Sequence, residues 1–108
     1  MPGWHGIGVR GHLTRRCRAP VWVDNDANLL GLGELRGGLG RSMPNMIYVK
    51  IGTGIVAGLV FSGQLHRGAQ GCAGEIGQVA VAEATGIICR CGNVGCLEAL
   101  AGGSALAR

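Results

Sequence analysis

The ten residues CRCGNVGCLE, Cys89 to Glu98, hold three of the chain's five cysteines and one carboxylate. The C-x-C pair brings two sulfurs within chelating reach of one ion, and Gly92 and Gly95 let the loop fold back to deliver Cys96. Three thiolates make only three ligands, whereas a closed zinc site has four. The same spacing suits three reduced loop cysteines without metal. Cys96 stands at the start of an expected helix, a position that favours the thiolate. Carboxylates are few, six in 108 residues, so their placement carries weight. Asp24 and Asp26 flank Asn25 where a strand is expected to pass into a helix, a place where ligands of open α/β folds collect. Helix capping accounts for Asn25 and Asp26 as well as catalysis does. Glu75 lies between glycines in GCAGEIGQ and Glu98 follows the knuckle; a solvated loop glutamate is the plain alternative for each. Gly52, Thr53 and Gly54 form a hinge whose backbone N–H groups can approach a phosphate, although hairpin turns also use glycine for conformation alone.

Several elements must hold these groups. Residues 7–17 predict a short amphipathic helix with Val9, Leu13 and Cys17 turned to the core and the arginines of RGHLTRRCR, Arg10, Arg15, Arg16 and Arg18, on a solvated face. Pro20 and the β-formers Val21, Trp22 and Val23 predict a strand over APVWVDND. A helix follows, capped by Asn25 or Asp26, carrying Leu29, Leu30, Leu32 and Leu35, and ended by Gly37 and Gly38. Met46 to Ile51 and Ile55 to Phe61 predict a β-hairpin, with a second turn at Ser62 and Gly63. GQVAVAEA predicts a strand, the knuckle a loop, and CLEALAGG a helix, with another helix beginning in GGSALAR.

Composition bounds the function classes. Apolar residues at 47% against 15% charged exclude a disordered tail, and 22 glycines point to many tight turns. The net charge of +4 is mild, which gives a nucleic-acid patch little support beyond the arginine run. No apolar run reaches the 18 or so residues of a membrane span, and MPGWHGIGVR lacks the apolar centre of a signal peptide. The chain reads as cytoplasmic. An odd number of cysteines fits a reducing compartment better than a disulfide framework.

Taken together, DNDAN, IGTGIVAG, LHRGAQGCAGEIGQ and CRCGNVGCLEALA resemble, in order and spacing, the ROK family of bacterial sugar kinases and sugar-responsive repressors. The resemblance runs from about Val21 to Ala101 and implies a partial α/β chain of the actin-like ATPase, ribonuclease H-like fold. Residues 1–24 would end the small domain and residues 25–108 would start the large sugar- and zinc-binding domain. The resemblance puts Asp26 on the catalytic aspartate of the kinases, and Asn25, Asp26, Glu75, Gln78 and Glu98 on sugar contacts. It puts Gly52, Thr53 and Gly54 on the ATP-phosphate loop, and Cys89, Cys91 and Cys96 on the zinc cysteines. Carboxylates and amides suit sugar hydroxyls because both offer several hydrogen-bonding sites.

Two positions depart from the family pattern. Gln78 stands where the family has the histidine of GEIGH, its fourth zinc ligand, and Val56 stands where it has the next glycine of GTGIGAG. A glutamine carbonyl is a poor zinc ligand, and a β-branched side chain crowds a phosphate approach. Three readings stay open. The first, which we prefer, is the sugar-binding core of a ROK transcriptional regulator, homo-oligomeric at full length, with DNA contacted only through a domain absent from this chain. The second is part of an ATP- and magnesium-dependent, glucokinase-like sugar kinase. The third is a small zinc module that binds nucleic acid through its arginines.

Overall fold

The computed structural model describes residues 3–108. Helix α1 (Val9–Cys17) and helix α2 (Asp26–Gly37) precede an antiparallel sheet of β1 (Met46–Ile51), β2 (Ile55–Phe61) and β3 (Gln64–His66), in the order β1-β2-β3. Short helices α3 (Leu97–Ala101) and α4 (Gly103–Leu106) follow. The β1–β2 hairpin is as the alternation predicts, closed by Gly52–Gly54, and its register sets Lys50 opposite Val56. The second turn has Ser62 at φ 51° and Gly63 at φ 73°, the doubly left-handed turn that matches strand twist.

Strand β2 is the centre of the core. Ile55, Ala57 and Val60 are buried, and α2 lies on β2 through Ala27, Gly31 and Gly58. A Cβ on Gly58 would meet the Ala27 carbonyl oxygen at 2.5 Å, so the helix and strand backbones touch with no side chain between them. β3 pairs with β2 only from Leu59 to Phe61. Further along that edge, the Ala57 N–H donates to the Gly74 carbonyl at 2.7 Å. Gly74 and Gly77 both press backbone to backbone, since a Cβ on either would collide with the carbonyl oxygen of Ala57 or Ile55.

Three expectations are corrected. α1 buries none of its residues, and Cys17 is exposed; Val9 and Leu13 instead share a local groove with Trp4 and Ile7. Residues 20–25 are not a strand, because no described segment runs beside them to form a ladder, and Trp22 is 76% exposed. GQVAVAEA is not a strand either. It folds as two 3-10 turns, Ile76–Gln78 and Ala82–Ala84, around a single bridge from Ala80 to Cys96. The contact of Gly77 on Ile55 bends the chain there, and only Val79 to Val81 finds partners, at Gly95 and Leu97.

The radius of gyration is 16.0 Å, against about 13 Å for a compact domain of this length. Large apolar side chains stay exposed on the outer face of β1, at Ile47, Val49 and Ile51. Among the described residues, no helix is long and apolar enough to cross a membrane.

The backbone contact predicts opposite effects at two glycines. Gly58→Ala should destabilise the chain by about 1–3 kcal/mol through overpacking. Gly33→Ala, with nothing within 4 Å of the added Cβ, should stabilise α2 by about 0.5–1 kcal/mol. Urea titration of both variants checks this, and equal midpoints would contradict the packing.

Candidate functional site

The helix cap and the glutamate of GCAGEIGQ meet. Asn25 caps α2, its Oδ1 accepting the Ala27 N–H at 2.8 Å, while its Nδ2 donates to Glu75 Oε1 at 3.3 Å across 50 residues of chain. Capping and site formation are therefore one arrangement, with the two ends of a single amide doing each. Glu75 is held by the Gly74 and Gly77 contacts on β2 and is half-buried, not a solvated loop residue. Asp26, the first residue of α2, accepts the Ala27 N–H on Oδ1 and the Lys50 ammonium on Oδ2. Lys50 holds the Asp26 carboxyl below its ordinary value, against a partial opposing effect of burial.

Glu98 is also more than a loop carboxylate, its side chain only 17% exposed. Its Oε2 accepts the Ile55 N–H at 3.0 Å and its Oε1 accepts Arg90 Nη2 at 3.0 Å. This explains one of the two hinge glycines, Gly54. Neither Gly52 nor Gly54 has positive φ; a Cβ on Gly54 would stand 2.5 Å from Glu98 Oε2, and the Gly52 carbonyl receives the Gly103 N–H at 2.7 Å. The hinge, with Asp26, Lys50 and Val56, lines a cavity of about 390 Å³.

In the knuckle, the sulfurs of Cys89, Cys91 and Cys96 lie within 4.8 Å of one another, and Cys91 and Cys96 are 3.7 Å apart. Two thiolates on one tetrahedral zinc stand about 3.8 Å apart, so these three fit one ion. Gly92 and Gly95, at φ 94° and 88°, make the predicted fold-back, and the Cys89 N–H donates to the Asn93 carbonyl at 2.8 Å. The expected thiolate at Cys96 is corrected. It caps a helix of only five residues, and burial and the two neighbouring thiols push it up to about 12. The exposed Cys91 is instead lowered, first by the Asn93 backbone N–H and then by the Cys89 thiol. Gln78 ends the turn Ile76–Gln78 with its side chain exposed.

Reasoning from sequence missed the basic partners of the acids. Lys50 pairs with Asp26, Arg67 with Asp24 at 2.5 Å, and Arg90 with Glu98. One signal was present: Lys50 is the chain's only lysine, on the alternate residues of β1, with Met46 and Tyr48, that are partly buried. For Asp24, burial pushes the carboxyl up, but hydrogen bonds from Asn28, Arg67 and the Asn25 N–H outweigh it and hold it below its ordinary 3.8.

These features belong to a partial α/β chain of the actin-like ATPase fold, in which the glycine hinge and the acids are held against one sheet. The model of the ROK family matches residues 1–108, and the chain belongs to that family. It is 41% identical over 106 residues to a glucokinase of Halalkalibacterium halodurans, covering 98% of this chain and 32% of that protein. It is 37% identical over 103 residues to a xylose repressor of Caldicellulosiruptor bescii, covering 95% and 26%. It superposes with a TM-score of 0.83, at 36% identity, on a ROK family glucokinase from Streptomyces griseus in complex with glucose and AMPPNP, covering 98% of this chain and 34% of that one. The chain thus spans about a third of the length of the kinases it matches.

Two outcomes test this site. A depressed carboxyl contributes stability above its unfolded value that is lost as the pH falls through the lower folded value. Arg67→Met should therefore lower the urea midpoint most at neutral pH, and the gap to the unaltered chain should close below pH 3.8 as Asp24 protonates in both. A gap independent of pH would contradict the Asp24–Arg67 assignment. Metal analysis of chain prepared without chelator should find one zinc, lost in Cys91→Ser and bound more tightly in Gln78→His; its absence from all three would refute the knuckle as a zinc site.

Proposed function

We propose that this chain carries the hexose-binding core of a ROK-family transcriptional regulator. The observation that supports this most is the Asn25–Glu75 hydrogen bond, which joins DNDAN to GEIGQ beside Asp26. An amide bonded to one carboxylate and next in sequence to another suits the paired hydroxyls of a sugar, and Glu98 and Gln78 would complete the set. Residues 25–108 would begin the large domain. Cys89, Cys91 and Cys96 would hold a zinc ion that ties the knuckle to the start of α3, giving Glu98 a fixed base. DNA contact would fall to a part of the protein outside these 108 residues.

The kinase reading has a specific observation behind it as well, for Asp26 and the Gly52–Gly54 hinge line one cavity. In that reading the hinge would cradle the phosphates of magnesium-bound ATP. The regulator is favoured because Val56 lines the same cavity, where its branched side chain narrows the approach to the hinge.

Calorimetry of the full-length protein with a panel of hexoses and their N-acetyl derivatives tests the site. Binding should weaken about ten-fold or more in Asp26→Ala or Glu75→Ala, as loss of a charged hydrogen bond costs about 1.5–3 kcal/mol. Unchanged affinity in both variants would end the sugar assignment. ADP release with magnesium, ATP and hexose, abolished in Asp26→Asn, would move the protein to the kinases.

A further inference from the structure

The cavity at the Gly52–Gly54 hinge is lined by one cation, and that cation is already engaged. Lys50 reaches from β1 to Asp26 Oδ2, while Asp26 Oδ1 accepts the Ala27 N–H. In the hairpin register Lys50 stands directly opposite Val56. Residues paired in this way on adjacent antiparallel strands project to the same face. Both side chains line the cavity, Val56 on the hinge side and Lys50 on the carboxylate side.

We propose that Lys50 is a positioning residue that decides what this site does: its ammonium claims the Asp26 oxygen that would accept a proton, so the site recognises a sugar without activating it for phosphoryl transfer. The assignment rests on the sugar-site reading above. A carboxylate has about four lone-pair sites, so Asp26 can still accept a hydrogen bond from a sugar hydroxyl while bonded to Lys50 and to Ala27. Proton removal is a different demand. If Asp26 took the proton, the pair would become a neutral acid beside an unpaired ammonium, and the attraction that holds it would be lost. A general base works best with a pKa near the working pH, and Lys50 moves this carboxyl the other way. The pair is exposed enough to matter little for folding, with side chains 41% and 58% accessible, so its effect falls on the site. The charged groups around it are otherwise committed. Asp24, before α2, is held by Arg67 of the segment after β3, and Glu75 by Asn25.

The test uses the full-length protein and its Lys50→Met and Lys50→Arg variants. Hexose affinity is measured by calorimetry from neutral to acid pH, and ADP release is followed with magnesium and ATP. The unaltered protein and Lys50→Arg should hold their affinity as the pH falls, with Lys50→Met losing it at a higher pH, because its Asp26 protonates sooner. No ADP should form with the unaltered protein. Hexose binding with coincident pH profiles in all three proteins would overturn the Lys50 assignment and leave the sugar site standing. Hexose-dependent ADP release that Lys50→Met abolishes would also overturn it, making Lys50 a cation for an incoming phosphate. Failure of every protein to bind any hexose would remove the sugar reading and this assignment together.

Discussion

Every backbone N–H of a buried strand needs a partner, and along one edge of β2 three unrelated segments supply them in turn. β3 takes Leu59–Phe61, the Gly74 carbonyl takes Ala57, and the Glu98 carboxylate takes Ile55. An unpaired amide at the buried Ile55 would cost about 1–3 kcal/mol, so Glu98 is as much a part of the sheet as of the site. The same strand receives α2 on its face at Gly58. Asn25 and Asp26, Glu75, and Glu98 come from three distant parts of the chain and gather because each belongs to something docked on β2.

Charge is arranged with similar economy. Asp24, Asp26 and Glu98 each meet a basic side chain from another element, and Glu75 meets a neutral amide. The acids thereby keep fixed orientations as acceptors without gathering unbalanced negative charge in one place. Arg90 adds a further link. It stands between two knuckle cysteines and donates to Glu98, so the order of that loop is felt by a carboxylate that also caps β2.

What could be read in the sequence was local. The hairpin followed from alternation and its glycines, the start of α2 from Asn25, and the fold-back of the knuckle from Gly92 and Gly95. The four motifs named the family correctly because their order and spacing are a one-dimensional signal. Apart from the Cys96 thiolate, the failures were matters of partnership. Residues 19–26 and 77–84 have strand-forming composition, but a strand exists only where a second one lies beside it, and composition carries no such information. The inward side of α1 failed for the same reason, since periodicity shows which residues share a face and not what covers it. The ion pairs of Lys50 with Asp26 and Arg67 with Asp24 join residues 24 and 43 apart and have no local signature. The role of Gly54 was legible as a need for smallness but not as space for a particular carboxylate.

Strand β1 has consequences for how the chain behaves among its own copies. Its inner edge is paired with β2 along its whole length, while among the described residues nothing pairs with its outer edge. The exposed Ile47, Val49 and Ile51 lie along that same strand. A row of open amides and carbonyls beside a β-branched stripe is a template on which another extended segment can add. The chain therefore carries its own route to self-association. A segment laid along this edge would extend the sheet and, in the same step, act as its shield.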